Sequence, residues 1–313
     1  MVCRMEAIMI YKVFIDGAEG TTGLKIHQYF EQRDDIELIN INSEKRKDLD
    51  ERLTCIRKAD ISFLCLPDAA SREIAAAAPK ECRILDTSTA HRTASSWVYG
   101  MPELCREQRE KIRNSSRVAV PGCHATGVIL LTRPLIESGV ISSDYSFAAF
   151  SLTGYSGGGK KMIAQYEDDD REKSLESPRQ YGITQKHKHL PEIVAAAGMK
   201  SAPSFIPVVA DYYSGMQVIV PVRGAGSKEK VQKLFREYYE GQPLVKVVDS
   251  ADEGGFIAAD RLAGTNRLEI TIEGNDDNIL LIATYDNLGK GASGAAVQNM
   301  NIMLGIEETK GLI

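Results

Sequence analysis

A buried strand that runs into a glycine-rich turn constrains the fold of this chain more than any other feature. Residues 7–15 are rich in Ile, Val and Phe and predict a buried strand, and apolar residues recur at helical spacing after residue 23. Between them lies a turn that contains Gly17, Gly20 and Gly23. Strand, glycine turn and helix form the first unit of a dinucleotide-binding fold. The spacing is G-x-x-G-x-x-G rather than G-x-G-x-x-G, so the position of the turn after a strand carries this prediction.

The remaining pattern predicts an α/β protein with two domains. Strands are expected at residues 36–41, 61–66, 83–86 and 118–120, with an alanine-rich helix at 69–78, as in a Rossmann-type doubly wound parallel sheet. After residue 139, strands at 146–152, 216–222, 268–273 and 278–285 and helices at 190–197 and 227–239 predict an α+β catalytic and oligomerisation domain. We therefore expect an NADP-binding domain at 1–122, completed by a C-terminal helix within 290–313, and a second domain at 123–289.

Ligands bind at the carboxyl ends of parallel strands, so residues just after the predicted strands are candidate contacts. The expected cofactor contacts at this edge are Gly17, Gly20, Thr21, Thr22, Gly23, Pro67 and Ser88.

The end of the second strand bears on which nicotinamide cofactor binds. An NAD site carries an acidic residue here for the ribose 2′-hydroxyl, whereas this chain has Ser43 and, slightly later, Arg46. Hydroxyl and guanidinium groups suit a 2′-phosphate, so the sequence favours NADP. Glu44, which lies between them, argues against it.

Cys123 is the candidate nucleophile. It follows the strand at 118–120 and a Pro-Gly turn, and it precedes an apolar helix-like run at 128–140. Backbone N–H groups and the positive end of the helix dipole stabilise a thiolate at such a position. The alternative is a small buried cysteine without chemistry.

Composition excludes several classes of protein. The chain has 313 residues, 43% hydrophobic and 26% charged, with a net charge of −5, which argues weakly against nucleic acid as a partner. Its six cysteines form no C-x-x-C pair and predict free thiols in a reducing compartment. Neither a signal peptide nor an apolar run long enough for a membrane span is evident, so we expect a cytoplasmic protein.

The motifs together resemble the N-acetyl-γ-glutamyl-phosphate reductases in their shorter form. They occur in order at residues 17–23, 63–67, 86–92, 99–104, 121–123, 154–160, 187–192 and 286–292, nearly the whole chain. One departure is His124, where many members, chiefly of the longer form, carry an aromatic residue after the cysteine. This resemblance implies NADPH-dependent reduction of an acyl phosphate to an aldehyde in arginine biosynthesis, through a thioester on Cys123.

The resemblance also implies roles for other residues. Motif position makes His189 the acid/base residue, for which a pKa near 7 is expected, and places His187 near the substrate, with Glu192 as a possible orienting group. His124 is a rival base. The H-x-H pair could also bind a metal, but no Cys/His spacing supplies further zinc ligands, so we predict none.

Four further residues are candidate contacts with alternatives left open. Arg92 suits a substrate phosphate or forms a strand-end salt bridge. Ser156 and Lys160 flank glycines that either bind an anion or form a flexible turn. Asn287 bonds the nicotinamide amide or belongs to a helix cap.

Other functions remain open at this stage. Aspartate-semialdehyde dehydrogenase and an aminoadipyl-phosphate reductase of the lysine branch share the chemistry. The substrate of the aminoadipyl-phosphate reductase differs from N-acetyl-γ-glutamyl phosphate by one methylene. A catalytically inactive NADP-binding scaffold and a thiol redox sensor are the non-enzyme alternatives. Apolar strands in the second domain predict a homodimer or homotetramer.

Overall fold

The computed structural model describes residues 9–251 and 253–313. Residues 7 and 8 of the first predicted strand and Cys3 lie outside these ranges, as does the start of the predicted 1–122 domain.

A parallel sheet forms the first half of the molecule. Its strands are β1 (Tyr11–Asp16), β2 (Ile36–Ile39), β3 (Ile61–Leu64), β4 (Ile84–Asp86), β5 (Val98–Tyr99) and β6 (Arg117–Ala119). They lie in the order β2-β1-β3-β4-β6-β5, and every pair is parallel. The helices along this part of the chain are α1 (Thr21–Phe30), α2 (Leu49–Lys58), α3 (Asp68–Ala77) and α4 (Gln108–Arg113). The predicted doubly wound α/β class is thereby confirmed.

A mixed sheet forms the second half. Its strands are β7 (Ala148–Gly154), β8 (Arg179–Gln180), β9 (Ser204–Ala210), β10 (Met216–Val222), β11 (Val245–Val247), β12 (Leu268–Gly274) and β13 (Ile279–Tyr285), in the order β11-β12-β13-β10-β7-β9-β8. Helices α5 (Cys123–Glu137), α6 (Gly159–Tyr166), α7 (Leu190–Ala197), α8 (Lys228–Tyr238) and α9 (Gly294–Leu304) accompany it along the chain. Short 3₁₀ turns occupy Ser43–Lys45, Tyr155–Gly158 and Lys173–Glu176, and a π-helical turn occupies Gly289–Ser293.

The glycine turn between β1 and α1 depends on the absence of side chains. Gly17 has φ +85°, and a Cβ there would lie 2.3 Å from the carbonyl oxygen of Cys65. A Cβ on Gly23 would lie 2.5 Å from the carbonyl oxygen of Gly17. Because Gly17 and Gly23 have no Cβ, the turn can fold back on itself at the carboxyl end of the sheet, where α1 begins.

Helix α9 packs into the core of the first sheet although it follows the second sheet in the chain. Ala296, Val297 and Met300 share one buried cluster with Val13 and Phe63. A side chain of α9 also bonds the first half of the chain, because Asn299 Nδ2 donates to the carbonyl of Gly100 at 2.8 Å. The packing accords with the proposed domain division, whose boundaries at 122 and 290 stay a prediction.

The mixed sheet has one covered face and one open face. Val218, Ala283 and Ile270 belong to a buried cluster with Ala125 and Ile129 of α5. On the other face, Phe150 of β7 is paired with Ile219 of β10 and with Ile206 of β9. These three side chains are only partly buried, so a continuous apolar row reaches the surface.

Within the described ranges, no helix is both long and apolar enough to cross a bilayer.

Candidate active site

A cavity of about 350 Å³ lies where the two sheets meet. It is lined by many of the residues that the sequence singled out, and these are Thr21, Thr22, Arg92, Cys123, Ser156, His187, His189 and Asn287. Among the predicted substrate contacts, Lys160 does not line this cavity and is exposed on α6. The chain therefore brings most of its predicted chemistry together from both domains.

Cys123 is the first residue of α5, rather than the residue before the helix, and Gly122 precedes it as the cap. A Cβ on Gly122 would lie 2.5 Å from both Arg92 Nη1 and His189 Nε2, so only glycine fits here. Tyr285 holds the start of the helix, because its hydroxyl donates to the carbonyl of Cys123 at 2.6 Å and accepts from the N–H of Gly127 at 3.1 Å.

The electrostatic expectation for Cys123 is wrong in this structure. Burial raises the pKa of the thiol, although the N–H of His124 and the charges of Arg92 and Lys188 act in the opposite direction. The helix N-terminus therefore reduces the cost of the thiolate without overcoming its desolvation. A neighbouring base is needed to take the proton.

His189 is that neighbour, and it is 96% buried. Burial lowers the pKa of its imidazole well below the usual value, and the positive charge of Arg92 lowers it further. The expected pKa near 7 is thus also wrong, and the ring is neutral at pH 7. Its Nδ1 is buried without a hydrogen-bond partner among the described residues, which leaves a nitrogen available inside the cavity wall.

His124, the rival base, is held by two hydrogen bonds. Nδ1 lies 2.7 Å from Ser151 Oγ and Nε2 lies 2.5 Å from the Tyr181 hydroxyl. Burial, with contributions from His187 and Lys188, lowers its pKa to about 3. Both ring nitrogens are occupied and the ring stays neutral, so His124 forms part of the wall of the site.

Glu192 organises the wall between the nucleophile and the base. Its Oε1 accepts from Arg92 Nη1 at 2.7 Å, and its Oε2 accepts from the Tyr99 hydroxyl at 2.7 Å and from the N–H of Gly122 at 3.1 Å. The same carboxylate lies 4.0 Å from His189 Nε2. This distance is too long for a hydrogen bond, so the orienting role of Glu192 toward His189 stays a prediction.

Arg92 lines the cavity but is already engaged. Besides Glu192, it donates from Nε to the carbonyl of Val120 and from Nη2 to the carbonyl of Thr87, each at 2.9 Å. The structure thus forms the salt bridge that the sequence left as an alternative. Lys188, which was not singled out, lines this cavity and the next one with an exposed side chain.

Three ligand-type atoms approach one another in this site. One atom each from Cys123, His124 and His189 lies within 4.8 Å of the others. Sequence spacing missed this cluster because His189 arrives from a distant segment. Both nitrogens of His124 are bonded to protein groups, so a metal would have to displace one of them. The prediction of no metal stays a prediction.

The glycine segment 156–159 lines the same cavity as Thr21 and Thr22, and a Cβ on Gly159 would lie 3.9 Å from Thr21 Oγ1. Ser156 is buried, and its Oγ accepts from Asn287 Nδ2 at 3.0 Å. Asn287 Oδ1 in turn accepts from the N–H of Gly215 at 2.9 Å. Asn287 therefore braces two loops beside the cavity.

A second cavity of about 320 Å³ adjoins the first at the glycine turn. Gly20, Thr21, Thr22, Pro67 and Ser88 line it, at the carboxyl ends of β1, β3 and β4. Gly17 and Gly23 line neither cavity; they shape the turn through the close backbone approach already described, and their contact with a cofactor stays a prediction. No side chain among the described residues caps the N-terminus of the ten-residue α1, and its first turn has no acidic residue, which suits a diphosphate.

Ser43 and Arg46 lie beyond the end of β2 and line neither cavity. Ser43 begins a 3₁₀ turn. Arg46 is half-exposed and pairs with Glu19 of the glycine turn. Both residues are exposed at the edge of the sheet, outside the two cavities, so their contact with a cofactor stays a prediction.

Comparison with known proteins shows the family. Residues 12–112 match the description "Semialdehyde dehydrogenase, NAD binding domain", and residues 123–287 match "Semialdehyde dehydrogenase, dimerisation domain". The chain belongs to the semialdehyde dehydrogenase family. In this family match, the first domain is a nicotinamide-cofactor-binding domain, and Cys123 is the first matched residue of the second.

Relatives within the semialdehyde dehydrogenase family confirm the resemblance read from the motifs. A protein of Nostoc sp. named N-acetyl-gamma-glutamyl-phosphate reductase 2 is 43% identical over 318 residues, which cover 96% of this chain and 99% of that protein. N-acetyl-gamma-glutamyl-phosphate reductase of Brucella ovis is 43% identical over 306 residues, covering 94% of this chain and 99% of its own.

Solved structures of other semialdehyde dehydrogenases share the fold. Aspartate semialdehyde dehydrogenase II of Vibrio cholerae, complexed with ASA, aligns with a TM-score of 0.70 at 16% identity over 95% of this chain and 99% of its own. The Candida albicans enzyme with NADP aligns with a TM-score of 0.67 at 13% identity over 95% of this chain and 100% of its own.

Proposed function

We propose that this chain reduces N-acetyl-γ-glutamyl phosphate to N-acetylglutamate 5-semialdehyde with NADPH, releasing phosphate, as a step of arginine biosynthesis. The observation that carries the proposal is Cys123 at the start of a buried helix, in one cavity with the neutral His189. The names of the relatives that align over nearly the whole chain support the choice of substrate.

The residues account for acyl transfer to sulfur. Cys123 Sγ attacks the carbonyl carbon of the acyl phosphate, the bond from carbon to the phosphate oxygen breaks, and His189 accepts the thiol proton. The departing phosphate takes up a proton from solvent and leaves as HPO₄²⁻, and a thioester remains on Cys123. After its reduction, the carbon–sulfur bond breaks, the aldehyde leaves, and His189 returns the proton to the sulfur. Phosphate charge near His189 favours the protonated imidazole, which offsets its low pKa.

NADPH, when bound, supplies the hydride that reduces the thioester. Gly17, Gly20, Thr21, Thr22 and Gly23 would hold its diphosphate at the start of α1, with Pro67 and Ser88 beside them. We assign the 2′-phosphate to Ser43 and Arg46, which requires Arg46 to leave Glu19.

Positive charge and backbone N–H groups receive the substrate phosphate. We assign this contact to Lys188, to the N–H groups of segment 156–159, and to the N–H groups of Arg92 that remain beyond its three protein bonds. His187 lies beside this region, whereas Lys160 contributes at most to the field.

We further propose that a second copy of the chain covers the open face of the mixed sheet. The family description of residues 123–287 as a dimerisation domain supports an oligomer, and the apolar row formed by Phe150, Ile206 and Ile219 supports this face. A dimer or a pair of dimers satisfies it. Location in the cytoplasm remains an expectation, as does the absence of a nucleic-acid partner.

The test runs the reaction backwards, because N-acetylglutamate semialdehyde is easier to handle than the acyl phosphate. We expect the wild-type protein to reduce NADP⁺ only when phosphate is present. Cys123→Ser should lower the rate by at least about a thousandfold, since the covalent step is lost. Cys105→Ser, which alters a thiol outside both cavities, is the matched control and should retain activity.

Other substrates separate the alternatives. Faster turnover of aspartate or aminoadipate semialdehyde would overturn the substrate while keeping the chemistry. A protein that binds NADPH and turns over none of the three would be the scaffold, and Cys123 oxidation without turnover would indicate the redox sensor.

A further inference from the structure

The segment that carries His187 and His189 has an unusual backbone at Gln185. Its φ is +56°, the only positive φ at a non-glycine residue within the described ranges. Residues other than glycine rarely adopt a positive φ, and they keep this strained conformation where the surrounding structure holds them in place. A turn bond from the N–H of Gln185 to the carbonyl of Gly182, at 3.0 Å, closes the loop.

The side chain of Gln185 provides that restraint. Its Nε2 donates to the carbonyl of Phe205 at 2.7 Å, and its Oε1 accepts from the N–H of Phe205 at 2.9 Å. We refer to this pair of bonds as the Gln185 clamp. A glutamine amide reproduces both polar groups of a peptide, so the clamp satisfies one residue of β9 as a neighbouring strand would.

The clamp continues an existing ladder. Strand β8 pairs with β9 through Arg179 and Gln180, and the N–H of Tyr181 then donates to the carbonyl of Pro207 at 3.0 Å. The chain leaves β9 after Tyr181, and the Gln185 side chain then bonds Phe205, which precedes Pro207 by two residues in β9. The two bonds to Phe205 attach the loop to β9 and hold Gln185 in its strained backbone conformation.

Phe205 connects the clamp to the site. Its ring lies 5.1 Å from that of His187 and 5.4 Å from that of His124, between ring centroids. On the other side of the clamp, His187 Nδ1 accepts from the N–H of His189 at 3.3 Å, and helix α7 starts directly after. The clamp thus fixes the start of the short segment that carries His187 and His189, and helix α7 fixes its end.

We propose that Gln185 is a positioning residue for the reaction, which holds the segment 182–189 on β9 so that His187 and His189 stay inside the cavity. This inference rests on the proposed function for its kinetic consequence, but the attachment of the loop is independent of the substrate. The charged and titratable groups that face the two histidines are Arg92, Lys188, His124, Cys123, Tyr181 and Glu192.

The experiment compares Gln185→Ala, Gln185→Glu and Gln185→Gly with Thr184→Ala. Gln185→Glu keeps the size but opposes a carboxylate oxygen to the Phe205 carbonyl, and Gln185→Gly relieves the backbone while removing the clamp. Thr184 is exposed in the same turn and is the matched control. We expect kcat to fall about 10–100-fold in the three Gln185 variants, with the Kd for NADPH unchanged, since Gln185→Ala and Gln185→Gly lose both hydrogen bonds of the clamp and Gln185→Glu replaces one with a repulsive contact.

A second readout does not depend on turnover. In the wild-type protein, labelled His187 and His189 should titrate below the usual histidine range by NMR, because the partial burial of His187 and the full burial of His189 lower their pKa values. In Gln185→Ala and Gln185→Gly, we expect both to move toward about 6.5 as the loop reaches solvent. This measurement separates failure of the clamp from failure of the proposed reaction. If only the proposed reaction is wrong, the wild-type protein is inactive, but its two histidines still titrate below the usual range and still shift in Gln185→Ala.

Three outcomes overturn the proposal. One is unchanged kcat and histidine titration in folded Gln185→Ala. Another is a lower melting temperature in the Gln185 variants with catalysis intact, which is what a merely structural bond predicts. The third is an equal loss of activity in Thr184→Ala.

Discussion

At the scale of single residues, the site relies on buried neutral histidines, and His124 should make the fold sensitive to acid. The unfolded chain binds a proton at this residue below pH 6.5, whereas the folded state does so only near a pKa of about 3. The free energy of unfolding therefore falls as the pH drops through this window. Between pH 7 and pH 5 the contribution of His124 amounts to about 2 kcal/mol.

Urea unfolding of the wild type and of His124→Gln at both pH values checks this expectation. Glutamine does not titrate, so the stability difference between the two proteins should shift by about 2 kcal/mol in favour of the variant at pH 5. An equal difference at pH 7 and pH 5 would show that His124 does not titrate as its environment requires.

Arg46 should determine the preference for NADPH, also at the residue scale. It lies outside both cavities and pairs with Glu19, so its effect should be confined to the 2′-phosphate. We expect Arg46→Ala to raise the Kd for NADPH about 10–100-fold, the value of a hydrogen bond to a charged group. The Kd for NADH is the internal control and should stay within about twofold, because NADH lacks that phosphate. A parallel loss for both cofactors would assign Arg46 to the fold instead.

At the scale of secondary structure, the turn between β1 and α1 requires some of its glycines more than others. A Cβ on Gly23 would lie 2.5 Å from the backbone oxygen of Gly17, whereas one on Gly20 would find its nearest atom at 3.4 Å. We expect Gly23→Ala to lower the free energy of unfolding by about 1–3 kcal/mol, as other overpacked sites do. Gly20→Ala should leave stability within about 0.5 kcal/mol. Thermal melts of the two variants decide the matter, and equal melting temperatures would contradict the geometry.

Elements with long apolar patterns were predictable, and those without them were not. The sequence indicated β10 with its observed bounds and α7 likewise, because most residues of each element are apolar. Strand β9 was not predicted, since Pro207 interrupts it. The strand tolerates this proline, which has no N–H to donate, and the Pro207 carbonyl still accepts a hydrogen bond from the N–H of Tyr181. Strand β8 has two residues and shows no periodicity at all.

The site was predictable by residue type and less so by contact. Motifs identified Cys123 and His189, and sheet topology explained why Ser88 and Pro67 share an edge with the glycine turn. Burial reversed the expected direction of the pKa of Cys123, because desolvation depends on packing that no local pattern contains. The two bonds between Gln185 and Phe205 span twenty residues and leave no periodic signal.

At the scale of the whole molecule, the open face of the mixed sheet should govern assembly. Ile219 ends the apolar row on β10, where it is paired with Phe150 on one side and with Ile282 of β13 on the other. We expect Ile219→Asp to convert the assembly into smaller units, since a buried unpaired charge at an interface costs several kcal/mol. Light scattering after gel filtration measures the mass. Lys246→Asp, an exposed substitution on β11 away from this row, should leave the mass unchanged.

The return of α9 to the first core ties the order of synthesis to the order of folding. Val13 and Phe63 leave the ribosome long before Ala296 and Met300, yet all four belong to one buried cluster. The last strand of the mixed sheet ends at Tyr285, before α9 begins, so this sheet has the opportunity to form while the parallel sheet still exposes an apolar face. A nascent chain of this kind is a substrate for chaperones until its C-terminal segment docks, and shortening that segment should cause aggregation rather than a partly active enzyme.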